Sequence, residues 1–407
     1  MLVQIDSAVV VGPRNSFNEV VIIGSDDLAN NILSNDGALL QTEADANSER
    51  LVLNLNSENT KAINLGTVLS KSVQGIMDYS YGNYKVNVFG LADLTYVTPS
   101  DLKLVNPEDS LSLASYNIEN FSRLDENSRT RAIATDISKN LDDPDILILH
   151  EVMDDSGTDD DGTVSSKLTL TRLVDTIEEM SGTHYTYIDF PPKNDQDGGI
   201  AGGNIRSVIL YQEEAGVSLV KVNPKSLLTE NPTRMGESNH AFDATRKPGV
   251  ALFSFRENPF LLITVHLTSR SADSPLFGNE QPIEKPEEEK RVAQAAFIHQ
   301  YLDKFQKENP KTPIIVAGDF NDDPWSETLN VIKEDLLVNL NEMIPASERY
   351  SYILDGNAIQ LDQILTSSSM DIVSTFTIPH LNTVYDQSKR ASDHDPVIAV
   401  FNFKHVQ

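Results

Sequence analysis

The sequence contains no cysteine among its 407 residues. This absence excludes disulfide scaffolds, thiolate zinc sites, iron–sulfur clusters and cysteine nucleophiles. No apolar run approaches the roughly 18 residues that a membrane-spanning helix requires, so the sequence does not predict an integral membrane protein. The first residues, MLVQIDSAVV, lack the basic start and the sustained apolar stretch of a secretory signal. Because the chain begins directly in a predicted strand, we expect that an upstream segment has been trimmed from it.

Basic residues are scarce relative to acidic ones. Lys and Arg number 32 and Asp and Glu number 61, which gives a net charge of −29. Such a surface repels phosphodiesters at long range, which argues against a protein that holds nucleic acid by counterion release. It does not exclude an enzyme that contacts phosphate through a metal ion and a few local cations.

Residues 1–105 are predicted to form a small β-rich accessory module. Short apolar runs recur there between turn-rich segments, and the residues around Gly82 and Asn83 are typical of a hairpin. The stretch contains no histidine and no convergent polar cluster. We therefore interpret it as an accessory or binding module.

Residues 106–407 are predicted to form one α/β domain. Strand-like apolar runs alternate there with helical segments, of which Pro286–Lys307 and Thr169–Met180 have the clearest helical spacing. Strands interleaved with helices over about 300 residues favour packed layers of sheets and helices. The domain has no Walker loop and no strand followed by GxGxxG, so nucleotide-cofactor binding is not predicted.

Polar residues follow many of the apolar strands of this domain. They are Asn117, Glu151, Asn204, Arg206, His266, Asp319, Asn321, Asp362, Asp393 and His394. Any one alone is more often a turn cap, but strand ends in layered α/β folds meet at one rim. Carboxylates with amide oxygens suit magnesium, manganese or calcium better than zinc. With two histidines and an arginine for an anionic substrate, the set indicates metal-assisted hydrolysis of a phosphate ester.

The motifs that carry these residues resemble a known family. ASYNIENF, LILHEV, GGNIRSVILY, VHLTSR, VAGDFND, LDQIL and SDHDPV occur in the order of the endonuclease/exonuclease/phosphatase superfamily, and most closely resemble its large secreted bacterial and archaeal nucleases. The resemblance covers nearly all of 111–403. It implies an α/β (α+β) four-layer sandwich, with two packed mixed β-sheets flanked by helices, preceded by the β-rich module.

The resemblance also implies a metal site and an attacking water. Glu151 matches the principal metal ligand, and Asn117 and Asp393 would complete or support the site. Asp319 would orient or deprotonate the water. The implied metal is Mg²⁺ or Mn²⁺. The acidic loop at 154–161 lacks EF-hand spacing and is interpreted as solvated, with a structural Ca²⁺ as the alternative.

The remaining matched residues are assigned to the phosphate. Asn321 would hold a phosphate oxygen, and His394 would contact the scissile phosphate while Asp362 supports its far nitrogen. His266 matches the second active-site histidine of the deoxyribonuclease-like members. The pair Asn204 and Arg206 matches the strand that binds phosphate.

Two neighbouring positions depart from the family pattern. His150 stands where the family usually has Gln before the Glu, and Gln363 stands where these nucleases commonly have His after the Asp. Both adjoin the predicted site, so we expect them to influence metal preference or pH optimum.

The sequence thus predicts a secreted, divalent-metal-dependent nuclease that cleaves DNA with little sequence preference. RNA is an alternative substrate, and neither a membrane nor an obligate protein partner is predicted.

A phosphoesterase of the same superfamily acting on lipid head groups or inositol phosphates is the second hypothesis. GDFN is followed by Asp322-Asp323-Pro324 and not by the Tyr-Arg of inositol phosphatases, which favours the nuclease. A non-catalytic binding or adhesion protein would not be expected to keep the whole set of site residues.

Overall fold

The structure is a computed structural model that describes residues 1–55, 61–91, 94–99, 104–107, 109–222, 226–367 and 373–403. Across these residues the strands form three large sheets and one short hairpin, and α-helices flank two of the sheets. None of these helices is both long enough and apolar enough to cross a membrane.

The N-terminal region forms an eight-stranded sheet. Its strands are β1 (Leu2–Ile5), β2 (Ala8–Gly12), β3 (Glu19–Gly24), β4 (Leu51–Asn54), β5 (Val68–Leu69), β6 (Val73–Ser80), β7 (Asn83–Val88) and β8 (Leu94–Thr95). They pair in the order β1-β6-β7-β4-β3-β2-β5-β8. The β6–β7 turn is Tyr81-Gly82, one residue earlier than predicted, because Ser80 pairs with Asn83.

The remaining strands form two mixed sheets and a hairpin. They are β9 (Leu111–Phe121), β10 (Ile146–Val152), β11 (Thr186–Asp189), β12 (Arg206–Tyr211), β13 (Val217–Leu219), β14 (Thr233–Arg234), β15 (Gly249–Phe255), β16 (Asn258–His266), β17 (Ile314–Asp319), β18 (Leu337–Asn339), β19 (Tyr352–Leu354), β20 (Asn357–Ile359), β21 (Asp362–Ser367), β22 (Val373–Thr377) and β23 (Val397–Phe401). One sheet has the order β11-β12-β10-β9-β23-β22. The other has the order β13-β15-β16-β17-β21-β18, with β14 beside β15, and β19 pairs with β20.

The two mixed sheets pack face to face and are covered by helices on their outer faces. The helices are α1 (Asn127–Thr135), α2 (Lys167–Ser181), α3 (Glu288–Glu308) and α4 (Glu327–Lys333). Between the sheets, Ile148 and Phe253 belong to one buried apolar cluster. A second cluster lies under α1 and α2, and a third under α3 and α4. The predicted four-layer sandwich with a β-rich N-terminal region is confirmed.

Helix positions follow the apolar spacing of the sequence. In α2 the buried residues Leu170, Leu173, Val174 and Ile177 recur three or four positions apart, which places them on one face against the sheet. The observed helices differ from the predicted ones by one or two residues at each end, which is the usual uncertainty of helix boundaries. The division at 105/106 remains a prediction.

Candidate active site

Strand register brings the predicted site residues to one rim of the sandwich. Asn117 and Glu151 lie toward the same end of the parallel strands β9 and β10. In the other sheet, His266 pairs with Asp319 across the parallel strands β16 and β17. The antiparallel strand β21 then begins with Asp362 beside Asp319.

A pocket of about 560 Å³ opens at this rim. The predicted residues that line it are Glu151, His266, Asp319, Asn321, Asp393 and His394. Asn117 and Asp362 stand directly behind this wall, because each is hydrogen-bonded to a lining residue. The structure therefore brings eight of the ten predicted residues together.

Asn117 holds the two central carboxylates in place. Its amide nitrogen donates to Glu151 Oε1 and to Asp319 Oδ2, both at 3.2 Å. Its amide oxygen accepts the backbone N–H of Glu119 at 3.1 Å. The amide thus turns its nitrogen toward the carboxylates, which fits support of a metal site and not direct ligation through oxygen.

The carboxylates at the centre of the pocket are poorly solvated. Burial raises the pKa of Glu151. Burial, and then the negative charge of Asp362, raise the pKa of Asp319 to about 6. Buried carboxylates that disfavour their own charge are the hard-oxygen donors that a divalent cation stabilises. Ligand atoms of Asp319, Asp362 and His394 also lie within 4.8 Å of one another. Because His394 is hydrogen-bonded to Asp362, the carboxylates and not the imidazole are the donors here that fit a metal ion.

His394 and Asp362 form a tightly coupled pair. His394 Nδ1 lies 2.7 Å from Asp362 Oδ2, which also accepts the Ser351 hydroxyl at 2.8 Å. Burial by itself lowers the pKa of His394, but the adjacent Asp362 carboxylate and its hydrogen bond raise that pKa well above the usual value. The ring of Tyr352 packs on the His394 ring with centroids 4.7 Å apart. His394 is therefore held as a charged hydrogen-bond donor.

The pKa of His266 is shifted in the opposite direction from that of His394. Burial, and then the positive charge of Arg246, lower its pKa well below the usual value. Its Nε2 lies 3.6 Å from Asp319 Oδ2 and 3.9 Å from Glu151 Oε1, which is beyond hydrogen-bond range. A neutral imidazole at this position can donate to a bound oxygen without adding charge.

The two departures from the family pattern are buried beside the site. His150 is hydrogen-bonded through its two ring nitrogens to the hydroxyls of Ser115 (3.0 Å) and Ser207 (2.8 Å). Burial, and then the charge of His394, lower its pKa to about 3, so it is a neutral structural residue at neutral pH. Gln363 donates to the carbonyl of Asp322 at 3.1 Å. Neither side chain lines the pocket.

Asn204 and Arg206 are not brought to the pocket. The Arg206 side chain is 1% exposed, donates to the carbonyl of Asn204, and pairs with Asp189 at 3.3 Å. The Asn204 amide donates to Asp154 at 2.9 Å and to the carbonyl of Thr163 at 2.8 Å. These contacts hold both side chains within the protein and away from the pocket lining, so this geometry does not support the predicted role in substrate binding.

Comparison with known families agrees with the fold. A model described as the endonuclease/exonuclease/phosphatase family matches residues 114–394, well over half of the chain. The chain belongs to the endonuclease/exonuclease/phosphatase family. It is therefore a hydrolase of the phosphoesterase type. A second model, described as a domain of unknown function, matches residues 1–94.

Solved structures of similar fold cover about three quarters of this family member. Truncated TDP2 from Caenorhabditis elegans is 18% identical, with 72% of this chain and 97% of that chain covered and a TM-score of 0.47. A mannosyl-6-phosphatase from Bacteroides thetaiotaomicron is 17% identical, with 72% and 100% covered and a TM-score of 0.47. Similarity at this level does not distinguish one activity from another. No curated protein matches the chain.

The pocket of this family member contains an arginine that the pattern of polar residues after strands did not predict. Arg246 lines the pocket, donates to the carbonyl of Leu267 at 2.6 Å, and has no described partner for its Nε. It precedes the start of β15, where Gly249 pairs with Thr264 near the end of β16. Residues before an antiparallel strand reach the same rim as residues after its neighbour. The sequence feature that could have located Arg246 is therefore an Arg-x-Pro before a strand, and not a polar residue after a strand.

Further cations border the same pocket. Arg270 and Lys290 line it on the side formed by the loop after β16 and by α3. Arg270 pairs with Asp323 at 3.0 Å and with Asp273 at 3.4 Å. The pocket of this phosphoesterase therefore combines anionic and cationic groups although the chain as a whole is strongly acidic.

Several strained backbone conformations lie at the same rim. Glu119, Asn120, Glu151 and Asn321 have positive φ angles of 50°, 50°, 61° and 51°. Such conformations are costly for residues with a side chain and persist where tertiary structure enforces them, often at active sites.

Part of the pocket wall is held by the N-terminal sheet region. The β19–β20 hairpin contributes Tyr352 and Ile359 to the wall. Ala358 of this hairpin exchanges backbone hydrogen bonds with the segment 39–41. The buried amide of Asn47 also donates a hydrogen bond to the Asn357 side-chain oxygen of the hairpin, at 2.8 Å. The N-terminal segment thus supports, from behind, a hairpin that lines the pocket, across more than 300 positions in sequence.

Proposed function

We propose that this phosphoesterase is a divalent-metal-dependent nuclease that hydrolyses DNA phosphodiester bonds with little sequence specificity, and that it acts outside the cell. The observation that carries the proposal is one open pocket lined by the half-buried carboxylate of Glu151, the buried carboxylate of Asp319 and the cationic donors His394 and Arg246. Such a pocket can activate water beside an anionic ester. The location is supported by the sequence resemblance to secreted nucleases and by the acidic composition.

The residues divide the chemistry between them. Asp319, with a pKa raised to about 6, is suited to accept a proton from the attacking water near neutral pH. Charged His394 would donate a hydrogen bond to a phosphate oxygen, and Arg246 would add a second cationic donor. Glu151 and Asp393 would hold Mg²⁺ or Mn²⁺, with Asn117 in support. When bound, that ion supplies Lewis-acid polarisation of the phosphoryl group.

Hydrolysis of a lipid head group or an inositol phosphate is the second candidate. The residues that follow GDFN disfavour it. Asp322 pairs with the buried Arg291 at 3.1 Å, and Asp323 pairs with Arg270 at 3.0 Å. Asp323 thus neutralises part of the charge of Arg270, a pocket cation that a highly phosphorylated head group would require.

The test is cleavage of supercoiled plasmid by the purified chain with Mg²⁺ or Mn²⁺, with and without chelator. We expect metal-dependent nicking by the wild type. Glu151→Gln should shift the metal titration to higher concentration, and the matched variant Glu214→Gln should not, because Glu214 does not line the pocket. Parallel assays of phosphate release from inositol phosphates and lipid head groups test the second candidate. Absence of metal-dependent cleavage of any DNA form would contradict the proposal.

A further inference from the structure

The β6–β7 hairpin of the N-terminal sheet carries three exposed tyrosines. Tyr79, Tyr81 and Tyr84 are 43%, 90% and 61% exposed, and we call them the tyrosine face. Tyr79 and Tyr84 are cross-strand partners with ring centroids 5.0 Å apart. Aromatic cross-strand pairs stabilise hairpins, which accounts for these two rings as a pair. It does not account for Tyr81, which lies in the turn.

Tyr81 occupies a position that favours other residues. It has a φ angle of 51°, and Gly82 follows with a φ angle of 75°. A two-residue turn with positive φ at both positions is a type I′ turn, for which Asn-Gly is strongly preferred. A bulky side chain in the left-handed region is unusual and costly. The turn thus presents an aromatic ring to solvent where hairpin folding alone favours asparagine.

The tip of the hairpin lies at the edge of the active-site pocket. Asn83 donates to Asp355 at 3.0 Å, and the preceding residue, Leu354, lines the pocket. On the other side, Gly82 packs against Pro275 so closely that a Cβ would lie 2.2 Å from the proline ring. The loop that holds Pro275 begins with residues that line the pocket. The tip is therefore fixed between two loops of the pocket rim.

We propose that the tyrosine face binds the bases of a nucleic-acid strand that extends out of the active-site pocket. The inference rests on the proposed nuclease function and names the part of the substrate held outside the scissile bond. Base–aromatic stacking tolerates any sequence because every base has a π-face. It also requires no positive charge. A chain with a net charge of −29 gains little attraction from its surface, so stacking supplies contact that its electrostatics do not.

The cations near the tyrosine face are engaged by other groups of the protein. Lys85 Nζ lies 5.4 Å from the centre of the Tyr81 ring and also pairs with Glu19. Arg50 lies over the ring of Phe277, at 4.7 Å from its centre. The surface is thus predominantly aromatic, which favours an unpaired strand with accessible bases over a duplex held by its phosphates.

The experiment compares a polymeric substrate with a small one. Tyr81→Asn and Tyr84→Ala are assayed with a fluorescein-labelled single-stranded DNA and with bis(p-nitrophenyl) phosphate. We expect kcat/KM on the DNA to fall on the order of tenfold for each variant, as the loss of one stacked base predicts. The rate on the small diester should be unchanged. Because Asn-Gly suits the turn, Tyr81→Asn should keep or raise the melting temperature.

A matched control separates the site from general exposure of aromatic rings. Phe17 is 78% exposed in the same sheet region and does not line the pocket. Phe17→Ala should therefore leave kcat/KM unchanged on both the DNA and the small diester. Equal losses on DNA and on the small diester would overturn the inference, because they would indicate a structural effect. Unchanged DNA kinetics in both tyrosine variants would overturn it as well.

Two further results keep this inference distinct from the proposed function. If the wild type hydrolyses the small diester but neither cleaves nor binds DNA by fluorescence anisotropy, the nuclease proposal itself fails. If the wild type cleaves DNA and the two tyrosine variants cleave it equally well, the role of the tyrosine face is refuted and the nuclease proposal stands. Sedimentation of the wild type and of Tyr84→Ala tests whether a second copy of this chain occupies the tyrosine face instead. A wild-type dimer that becomes monomeric in the variant would assign the face to that second copy and overturn the inference.

Discussion

His394 Nδ1 and Asp362 Oδ2 lie 2.7 Å apart in a buried pair at the base of the pocket. This contact fixes which ring nitrogen of His394 faces the carboxylate and leaves the other for a ligand in the pocket. Ser351 donates a second hydrogen bond, at 2.8 Å, to the same oxygen of Asp362. The charge and the orientation of His394 thus depend on Asp362, and the orientation of Asp362 depends on the loop that carries Ser351.

Replacing Asp362 by Asn should lower kcat by roughly 10²- to 10⁴-fold, because the neutral amide neither stabilises the charged imidazole nor fixes its tautomer. The pKa of His394, measured by NMR titration, should fall toward its ordinary value. Ser351→Ala is the matched control and should cause a smaller loss, since Asp362 keeps its charge. A folded Asp362→Asn enzyme with wild-type kcat would contradict the role of the pair.

Arg246 and Arg206 should respond in opposite ways to the same substitution. Arg246→Lys keeps the charge but loses the planar guanidinium in the pocket, so we expect kcat/KM on a phosphodiester to fall on the order of 10²-fold with little change in melting temperature. Arg206→Lys should lower the melting temperature, because it disturbs a buried pair with Asp189, and leave kcat/KM nearly unchanged. Loss of activity without loss of stability in Arg206→Lys would restore the role predicted from the sequence.

Stability should depend on the charge of the buried His380. Burial by itself lowers its pKa, but the hydrogen bond to Asp395 at 3.1 Å and the Glu348 carboxylate, 3.6 Å away, raise the pKa above the ordinary value. Its ring also stacks on Tyr350 with centroids 3.8 Å apart. A raised folded-state pKa contributes stability below the unfolded pKa of about 6.5, and that contribution is lost as pH rises through the folded pKa.

The measurement is the free energy of unfolding in urea from about pH 6 to about pH 9, for the wild type and for His380→Phe, which keeps a ring beside Tyr350. The difference between the two proteins should be largest near pH 6 and should shrink as pH rises. Each unit by which the pKa is raised corresponds to about 1.4 kcal/mol at the acidic end. A difference that is constant over this range would show that His380 does not change charge there.

Activity on DNA should persist or rise with added sodium chloride. The chain has a net charge of −29, so salt has little long-range attraction to screen and relaxes the repulsion between enzyme and substrate. The test is the initial cleavage rate against sodium chloride concentration at fixed Mg²⁺. A steep monotonic fall from low salt, with the slope of several released counterions, would indicate a concentrated basic groove and contradict this prediction.

The sequence alone determined the layered α/β fold and the residues that follow parallel strands. Glu151, His266 and Asp319 could be predicted because each directly ends or follows an apolar run, and neighbouring parallel strands end at the same edge. Local periodicity also located α2 and α3, since each helix buries one stripe of apolar residues. These features depend on spacing within short segments, which the sequence displays directly.

Only the tertiary structure decided which side chains face the pocket and what stands behind them. Arg246 reaches the rim and Arg206 does not, because the pairing of β15 with β16 and the local bonds of Arg206 are properties of the folded chain. Asn117 turns its nitrogen toward the carboxylates because the backbone N–H of Glu119 occupies its oxygen. The hydrogen bond between Asn47 and Asn357, behind the pocket wall, joins segments over 300 residues apart, and no local pattern encodes such a contact.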